Sequence, residues 1–180
     1  LALVRSLSGA YAEARALQAR AIAIYEETLG PDHLFVATTL QSLTHTHLNV
    51  GAFSEALAVN GRALAIREAT LGPDHIDVAN TLSSRAVIFR NLGKFDEALG
   101  LARRSLATNE QVLGPDHPNV AVALTNLANI QLQIQMNDDV QAWQERALAI
   151  REQALGPEHP DVAASLSNLG GIYMQTDQFA

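Results

Sequence analysis

The chain contains no cysteine among its 180 residues, which excludes disulfide bonds and thiolate metal sites. No apolar run approaches the roughly 18 residues that a membrane-spanning helix needs, and the first residues lack the pattern of a signal peptide. Lysine and arginine total 12 against 19 acidic residues, and they form no basic run. We therefore expect a cytoplasmic protein that binds neither nucleic acid nor membrane.

Sequence motifs of the common enzyme classes are also missing. The chain has no G-x-S-x-G, P-loop, H-E-x-x-H, G-x-G-x-x-G or C-x-x-C motif. His45 and His47 are two residues apart, so on a helix they point to different faces and cannot chelate one ion. We predict no enzymatic activity, no metal and no cofactor.

One five-residue segment organises the sequence, because it occurs four times at a constant spacing of 42 residues. A fixed period of this length is typical of a repeat array. Its glycine predicts a left-handed helix C-cap, and the proline that follows cannot continue the helix. The acidic residue after the proline is placed to cap the next helix. The four copies are Leu29–His33, Leu71–His75, Leu113–His117 and Leu155–His159.

The histidine that ends each copy is interpreted as structural. Stacked helices lie roughly 8–10 Å apart, whereas zinc–histidine bonds are about 2 Å long. One histidine per repeat therefore cannot converge on a single ion with the others.

Alignment at the 42-residue period predicts two helices per repeat. Ala79, Leu82, Ala86 and Phe89 form one helical stripe, and a turn at Gly93 separates it from a second helix. A short turn between two helices requires antiparallel packing. The predicted boundaries are a half repeat over 1–29 (a helix ending near residue 8 and its partner over 11–29), full helix pairs over 34–71, 76–113 and 118–155, and a lone first helix over 160–176, after which residues 178–180 begin a partner helix.

The packing residues of the best-formed repeat resemble those of the tetratricopeptide repeat. The period of 42 instead of about 34, with the Leu-Gly-Pro-Asp-His linker, is similar to the long-repeat subclass of kinesin light chains and many bacterial signalling and effector proteins. The resemblance implies an all-α, right-handed α-solenoid of antiparallel helix pairs that acts as a non-catalytic protein-binding scaffold. The residues that carry it are Leu82, Ala86, Phe89, Gly93, Phe95, Ala98 and Ser105.

In this family the first helix of each pair lines a concave groove. The resemblance places four columns of residues there, and primary amides, which both donate and accept, suit the backbone of an extended peptide. We predict that the groove binds a protein or an extended peptide that is neutral or weakly acidic, because Arg90 is the only cation in the columns. The columns are Asn49, Asn91, Gln133, Gln175; Ser42, Ser84, Asn126, Asn168; His45, Val87, Asn129, Gly171; and Leu48, Arg90, Leu132, Met174.

Charged columns on the second helices have a simpler interpretation. Opposite signs at matched intervals predict a solvated outer face on which adjacent repeats form weak Arg–Glu pairs. Trp143 and His47 lie in columns of apolar or aromatic residues and are predicted to pack in the core. The charged columns are Arg20, Arg62, Arg104, Arg146 and Glu26, Glu68, Glu110, Glu152.

Two other functions are compatible with the same sequence. The chain could be the regulatory or sensor array of a larger bacterial signalling or effector protein. It could also be a self-assembly module, in which helix 160–176 of one copy packs head-to-tail on helix 11–29 of another.

Overall fold

The computed structural model describes residues 2–134 and 139–177, with side chains over 10–134 and 139–174. These residues form eight α-helices and no strand, as the all-α prediction requires. We call α2, α4, α6 and α8 the first helices and α1, α3, α5 and α7 the second helices. The helices are α1 (Ala2–Leu29), α2 (Leu34–Asn49), α3 (Phe53–Leu71), α4 (Ile76–Asn91), α5 (Phe95–Leu113), α6 (Pro118–Gln133), α7 (Val140–Leu155) and α8 (Pro160–Asp177).

Each linker glycine ends a second helix with a positive φ, which explains why glycine recurs at this position. Gly72, for example, has φ 87° and ψ 158°, and its N–H donates to the Glu68 carbonyl. The predicted left-handed helical conformation is wrong in detail, because ψ is extended. This backbone region is essentially open only to glycine, and it turns the chain sharply toward the next first helix.

The histidine, and not the preceding acidic residue, caps each first helix. Nδ1 of His75 accepts the backbone N–H of Asp77 at 3.1 Å, and the other three linker histidines make the same bond at 3.1–3.2 Å. The prediction that Asp32, Asp74, Asp116 or Glu158 caps the helix is therefore corrected. The structural interpretation of the histidines is confirmed.

The start of the chain also differs from the prediction. Residues 2–29 form one continuous helix, where a turn was expected at Gly9. Gly51 and Gly93, at the equivalent positions, do turn with φ of 72° and 73°. Glycine permits a turn without requiring one. In the third full pair the sequence has Gln135 in place of the turn glycine and Asn137 in place of the aromatic residue after it, which predicts an irregular turn. That turn and the partner helix predicted to begin at 178–180 lie outside the described residues.

The helices form two compact units. Unit 1 covers Leu1–Gly93 and unit 2 covers Lys94–Ala180. In unit 1 consecutive helices are in contact from α1 to α4, and the small residues Ala56 and Ala63 are fully buried. The side chains of one core cluster of unit 1 are Ile22, Val36, Ala37, Leu40, Leu43, Ala63 and Ile66, with Tyr25 and Val59 packed against them.

Unit 2 repeats this arrangement with consecutive contacts from α5 to α8. One cluster joins Val120, Ala121 and Leu124 of α6 to Ala147 and Ile150 of α7. A second cluster joins Ala128, Val140 and Ile172. Trp143 packs half-buried against both clusters, as predicted for a core residue.

The predicted pairing between charged columns is present within both units. Arg62 bonds Glu26 in unit 1, and Arg146 bonds Glu110 at 2.6 Å in unit 2. Each arginine also donates to the carbonyl of the linker proline one repeat earlier, at 3.1 Å to Pro31 and 2.9 Å to Pro115. These arginines therefore hold the linker against the following second helix.

Candidate functional site

Three predicted residues lie on one exposed stripe of α2. Ser42, His45 and Asn49 are all exposed, at the spacing that places side chains on a single helix face. Helix α2 contains no Asp, Glu, Lys or Arg. On α4, Asn91 is exposed and Arg90 is half-buried. The surface of unit 1 formed by these residues of the first helices is thus polar and nearly free of charge.

The remaining predicted residue of unit 1, Ser84, is buried and connects the two first helices. Its hydroxyl accepts from Gln41 Nε2 at 2.7 Å and donates to the Asn80 carbonyl at 3.2 Å. Gln41 Nε2 also lies 3.0 Å from His45 Nε2. Because an amide nitrogen only donates, His45 Nε2 accepts here, and in the neutral ring Nδ1 carries the hydrogen that a ligand can use.

Asn91 uses part of its hydrogen-bonding capacity within its own helix. Its Nδ2 donates to the Val87 carbonyl at 2.7 Å. The amide oxygen and the second N–H are the groups left for a ligand. Asn91 can therefore satisfy one carbonyl and one N–H of an extended peptide.

Arg67 of the second helix α3 lies behind this surface and was not among the predicted residues. It is only 7% exposed. Its Nη1 donates to Thr81 Oγ1 at 2.6 Å, to the Asp77 carbonyl at 3.2 Å and to Gln41 Oε1 at 3.5 Å. Burial lowers the pKa of Arg67, and the nearby Asp77 charge opposes this effect. A buried positive charge therefore lies behind the exposed stripe of unit 1.

Unit 2 has a cavity of about 300 Å³ at the corresponding place, between α6, α7 and α8. Arg151, two repeats after Arg67, lines it and donates to Ser165 Oγ at 2.6 Å and to Thr125 Oγ1 at 3.0 Å. Burial lowers the pKa of Arg151, and the Asp161 charge opposes this effect. The lining residues are Val122, Thr125, Arg151, Asp161, Ala164, Ser165 and Asn168.

The predicted residues of unit 2 surround this cavity only in part. Asn168 lines it. Asn126 and Asn129 are half-buried, and Gln133 is exposed further along α6. The side chain of Gln175 lies outside the described residues. The column that contains Arg90 has three apolar members. Of these, Leu48 and Leu132 are half-buried and Met174 is exposed.

The two arginines were not predicted because only residues of the first helices were assigned to the groove. A signal was nevertheless present, since the segments 64–68 and 148–152 are identical, Leu-Ala-Ile-Arg-Glu. Only the structure shows that both arginines reach between consecutive first helices of their unit.

His47 was predicted to be a packed, hydrogen-bonded imidazole and is half-buried. Its Nδ1 is buried without a hydrogen-bond partner. Burial lowers the pKa of His47, the positive charge of Arg15 lowers it further, and Glu55 opposes both. Burial and Arg15 therefore favour the neutral form of this ring.

The described part of the chain carries neither a group of metal ligands nor a helix suited to a membrane. There, no three His, Asp or Glu side chains are grouped closely enough to hold a metal ion. None of the described helices combines the length and the apolar character needed to cross a bilayer.

The family model of the tetratricopeptide repeat matches residues 1–69, 50–111 and 77–153. The matched segments cover most of the sequence, so the chain belongs to the tetratricopeptide repeat family. Repeats of this family generally mediate protein–protein interactions. No curated protein matches the chain.

Solved structures agree with this assignment. BtubC (BKLC) from P. vanneervenii is 28% identical over 99% of this chain and 71% of its own, with a TM-score of 0.83. A putative kinesin light chain from Podosopora anserina, with nearly identical TPR-like repeats, has the same fold at 24% identity and a TM-score of 0.75, covering 96% of this chain and 82% of its own. The predicted all-α repeat solenoid and the similarity to kinesin light chains are confirmed.

Proposed function

We propose that the chain is a non-catalytic scaffold whose first helices bind an extended peptide segment of a partner protein. The observation that carries this proposal is a repeated stripe of exposed or half-exposed, uncharged polar side chains. On α2 the stripe is Ser42, His45 and Asn49, and on α6 it is Asn126, Asn129 and Gln133. Neither helix contains a charged residue.

The distribution of charge argues for a role beyond solubility. The second helix α3 places Glu55 and Arg62 in solvent, as an ordinary hydrated surface does. The first helices α2 and α6 instead use amides, hydroxyls and an imidazole. Such groups match the alternating N–H and C=O groups of a peptide, which lose their water on binding and then need partners.

The second helices determine the charge that the ligand meets. Arg67 lies behind the stripe in unit 1, and Arg151 lines the cavity in unit 2. Their hydrogen-bond partners include neutral hydroxyl, amide and backbone carbonyl oxygens, and the nearby charges of Asp77 and Asp161 offset the positive charge in part. A neutral or weakly acidic peptide is therefore favoured over a basic one.

The test is a fluorescence-based screen of an extended-peptide library against the parent chain and an Asn91→Ala/Gln133→Ala variant. Ligands should lose about 1–2 kcal/mol or more of binding free energy, as expected for lost buried hydrogen bonds. The matched control is Gln111→Ala/Gln153→Ala, which removes two exposed amides from second helices. Binding that is absent, or that both variants weaken equally, contradicts the proposal.

A second candidate function, head-to-tail self-assembly, is favoured by the exposed face of α1. Ile24 is 49% exposed, whereas Ile66 and Ile150, in the same column, are 4% and 3% exposed. The latter two are covered by first helices. A first helix from a second copy would cover Ile24 in the same way.

A further inference from the structure

Tyr25 and Phe35 break the polar pattern of the two columns to which they belong. Tyr25 shares its column with Arg67, Asn109 and Arg151, and Phe35 shares its column with Asp77, Asn119 and Asp161. Each column is aromatic only at this position, Tyr25 or Phe35, and polar at its three other positions. The paired change indicates that the two positions act together.

The structure brings these two rings into contact. Their centroids are 5.6 Å apart with an interplanar angle of 48°. The His33 ring meets Phe35 edge-on, with centroids 5.0 Å apart. We call Tyr25, His33 and Phe35 the aromatic ledge of unit 1.

The ledge is rigid but open to solvent. Nδ1 of His33 is held by its capping bond to the Phe35 N–H at 3.2 Å, and Tyr25 packs against the core cluster of unit 1. Phe35 nevertheless remains 55% exposed. The core beside it is already closed by the fully buried Val36 and Ala37, so packing does not require an aromatic ring at position 35.

The equivalent positions of unit 2 show which surface the ledge occupies. Arg151 and Asp161, three repeats after Tyr25 and Phe35, both line the 300 Å³ cavity. Asp161 is exposed even though α6 precedes it there. Asp77 and Asn119, in the same column, are half-buried. A preceding first helix therefore does not by itself bury a side chain at this position.

We propose that the aromatic ledge anchors an uncharged aromatic or large aliphatic side chain of the bound peptide, an inference that rests on the proposed function. Ring faces and edges favour such a partner, and a rigid site reduces the entropy cost of binding it. The charged pair that unit 2 carries in these columns is replaced here by two rings.

The residues around the ledge determine which peptide residues can lie beside the anchoring side chain. Thr38 and Ser42 are exposed on the next turns of α2, so the peptide backbone continues from the ledge along the uncharged stripe. Asp32, exposed and next to His33 in the chain, disfavours an acidic residue beside the anchor. The ledge therefore selects a neutral apolar segment.

The experiment uses fluorescein-labelled, N-acetylated nonapeptides with degenerate flanks and a central residue fixed as Trp, Phe, Leu, Ala, Lys or Glu. The parent chain should bind the Trp, Phe and Leu pools about five- to tenfold more tightly than the Ala pool. The Tyr25→Arg/Phe35→Asp variant carries the residues of unit 2 at these positions. It should lose this preference and still bind the pools through the amides.

Each other result has a defined meaning. A preference for Trp, Phe and Leu that survives in the variant contradicts the proposed anchoring role of the aromatic ledge. Binding that needs Asn91 and Gln133 but shows no preference for the Trp, Phe and Leu pools in the parent also contradicts the anchoring role of the ledge. The proposed function would still stand. No binding of any pool to the parent overturns both. If the double variant unfolds by circular dichroism, Phe35→Ser, which retains Tyr25 and the core, takes its place with the same expected loss.

Discussion

Burial separates two arginines of helix α3 that look alike in sequence. Arg62 is exposed, and its partners are Glu26 and the Pro31 carbonyl. Arg67 is buried and donates to three oxygens on α2 and α4. An exposed pair exchanges its bonds with water easily, whereas buried donors and acceptors that lose each other have no substitute.

We therefore expect Arg67→Ala to reduce the free energy of unfolding by about 2–4 kcal/mol, because Thr81 and Gln41 lose a buried donor. Arg62→Ala should cost about 0–1 kcal/mol. Urea unfolding followed by circular dichroism measures both values on the same helix. Equal losses would show that Arg67 does not hold the first helices of unit 1 together.

His47 makes stability depend on pH. Its pKa in the fold lies below the ordinary value of 6.5 because of burial and Arg15, so the unfolded chain binds more protons once the pH falls below that value. The free energy of unfolding should then decrease with falling pH, until the folded state is protonated as well. His47→Phe, which introduces the residue found at Phe89, should remove this part of the dependence.

The measurement is the urea midpoint of parent and variant at several values between pH 7.5 and about 5. His45→Gln is the control, because His45 is exposed on the same helix. A midpoint that falls identically in parent and His47→Phe would assign the pH dependence to other groups.

At the scale of helices, local signals decide where each element begins and ends. Glycine with positive φ ends three second helices and the long α1, and histidine caps the four first helices. The sequence pattern correctly locates these helix ends and helix starts. It does not distinguish which of two neighbouring polar residues makes the cap, because both can accept a backbone N–H.

His117→Ala should therefore destabilise the chain by about 1 kcal/mol, the typical cost of losing an N-cap. Asp116→Ala should have almost no effect, and His117→Asn should restore most of the stability, since asparagine is a good N-cap. Thermal or urea unfolding of the three variants gives the order of their stabilities. A larger loss in Asp116→Ala than in His117→Ala would reverse the assignment of the cap.

The long helix α1 shows the limit of reasoning from a repeat period. Gly9 aligns with Gly51 and Gly93, yet residues 2–29 are continuous. A turn forms where helices on both sides bury enough apolar surface to hold it. The period identifies the position, and packing decides whether the position is used.

At the scale of the whole molecule, α1 and α8 both expose apolar residues whose columns are buried or half-buried elsewhere. Ile24 and Leu17 are exposed on α1, and Leu166 is exposed on α8, although Leu82 and Leu124 in its column are buried. Apolar faces of this kind associate with a complementary face when one is available. In such a contact a first helix of one copy would pack on a second helix of another, as first and second helices pack within each unit.

We expect the weight-average mass of the chain in sedimentation equilibrium to rise with concentration. Ile24→Glu should abolish the rise by placing a charge in the contact, whereas Ala65→Glu, at an exposed position of α3, should leave it unchanged. A monomer at every concentration would exclude the head-to-tail contact. The mass measurement is independent of peptide binding, so it separates the two proposed functions.

The sequence by itself determined the repeat, the helix positions after α1 and the family, because these depend on local backbone preferences and on apolar spacing that recurs every 42 residues. It also selected Ser42, His45, Asn49, Asn91, Gln133 and Asn168, which the structure exposes. Their use in binding stays a proposal.

Only the tertiary structure decided the burial of Ser84, the position of Arg67 and Arg151 between consecutive first helices, the contact of Tyr25 with Phe35, and the capping role of the histidines. The physical reason is the same in each case. These features depend on which side chains from separate helices meet, and a flexible polar side chain has several partners within reach until the packing of the surrounding helices leaves only one.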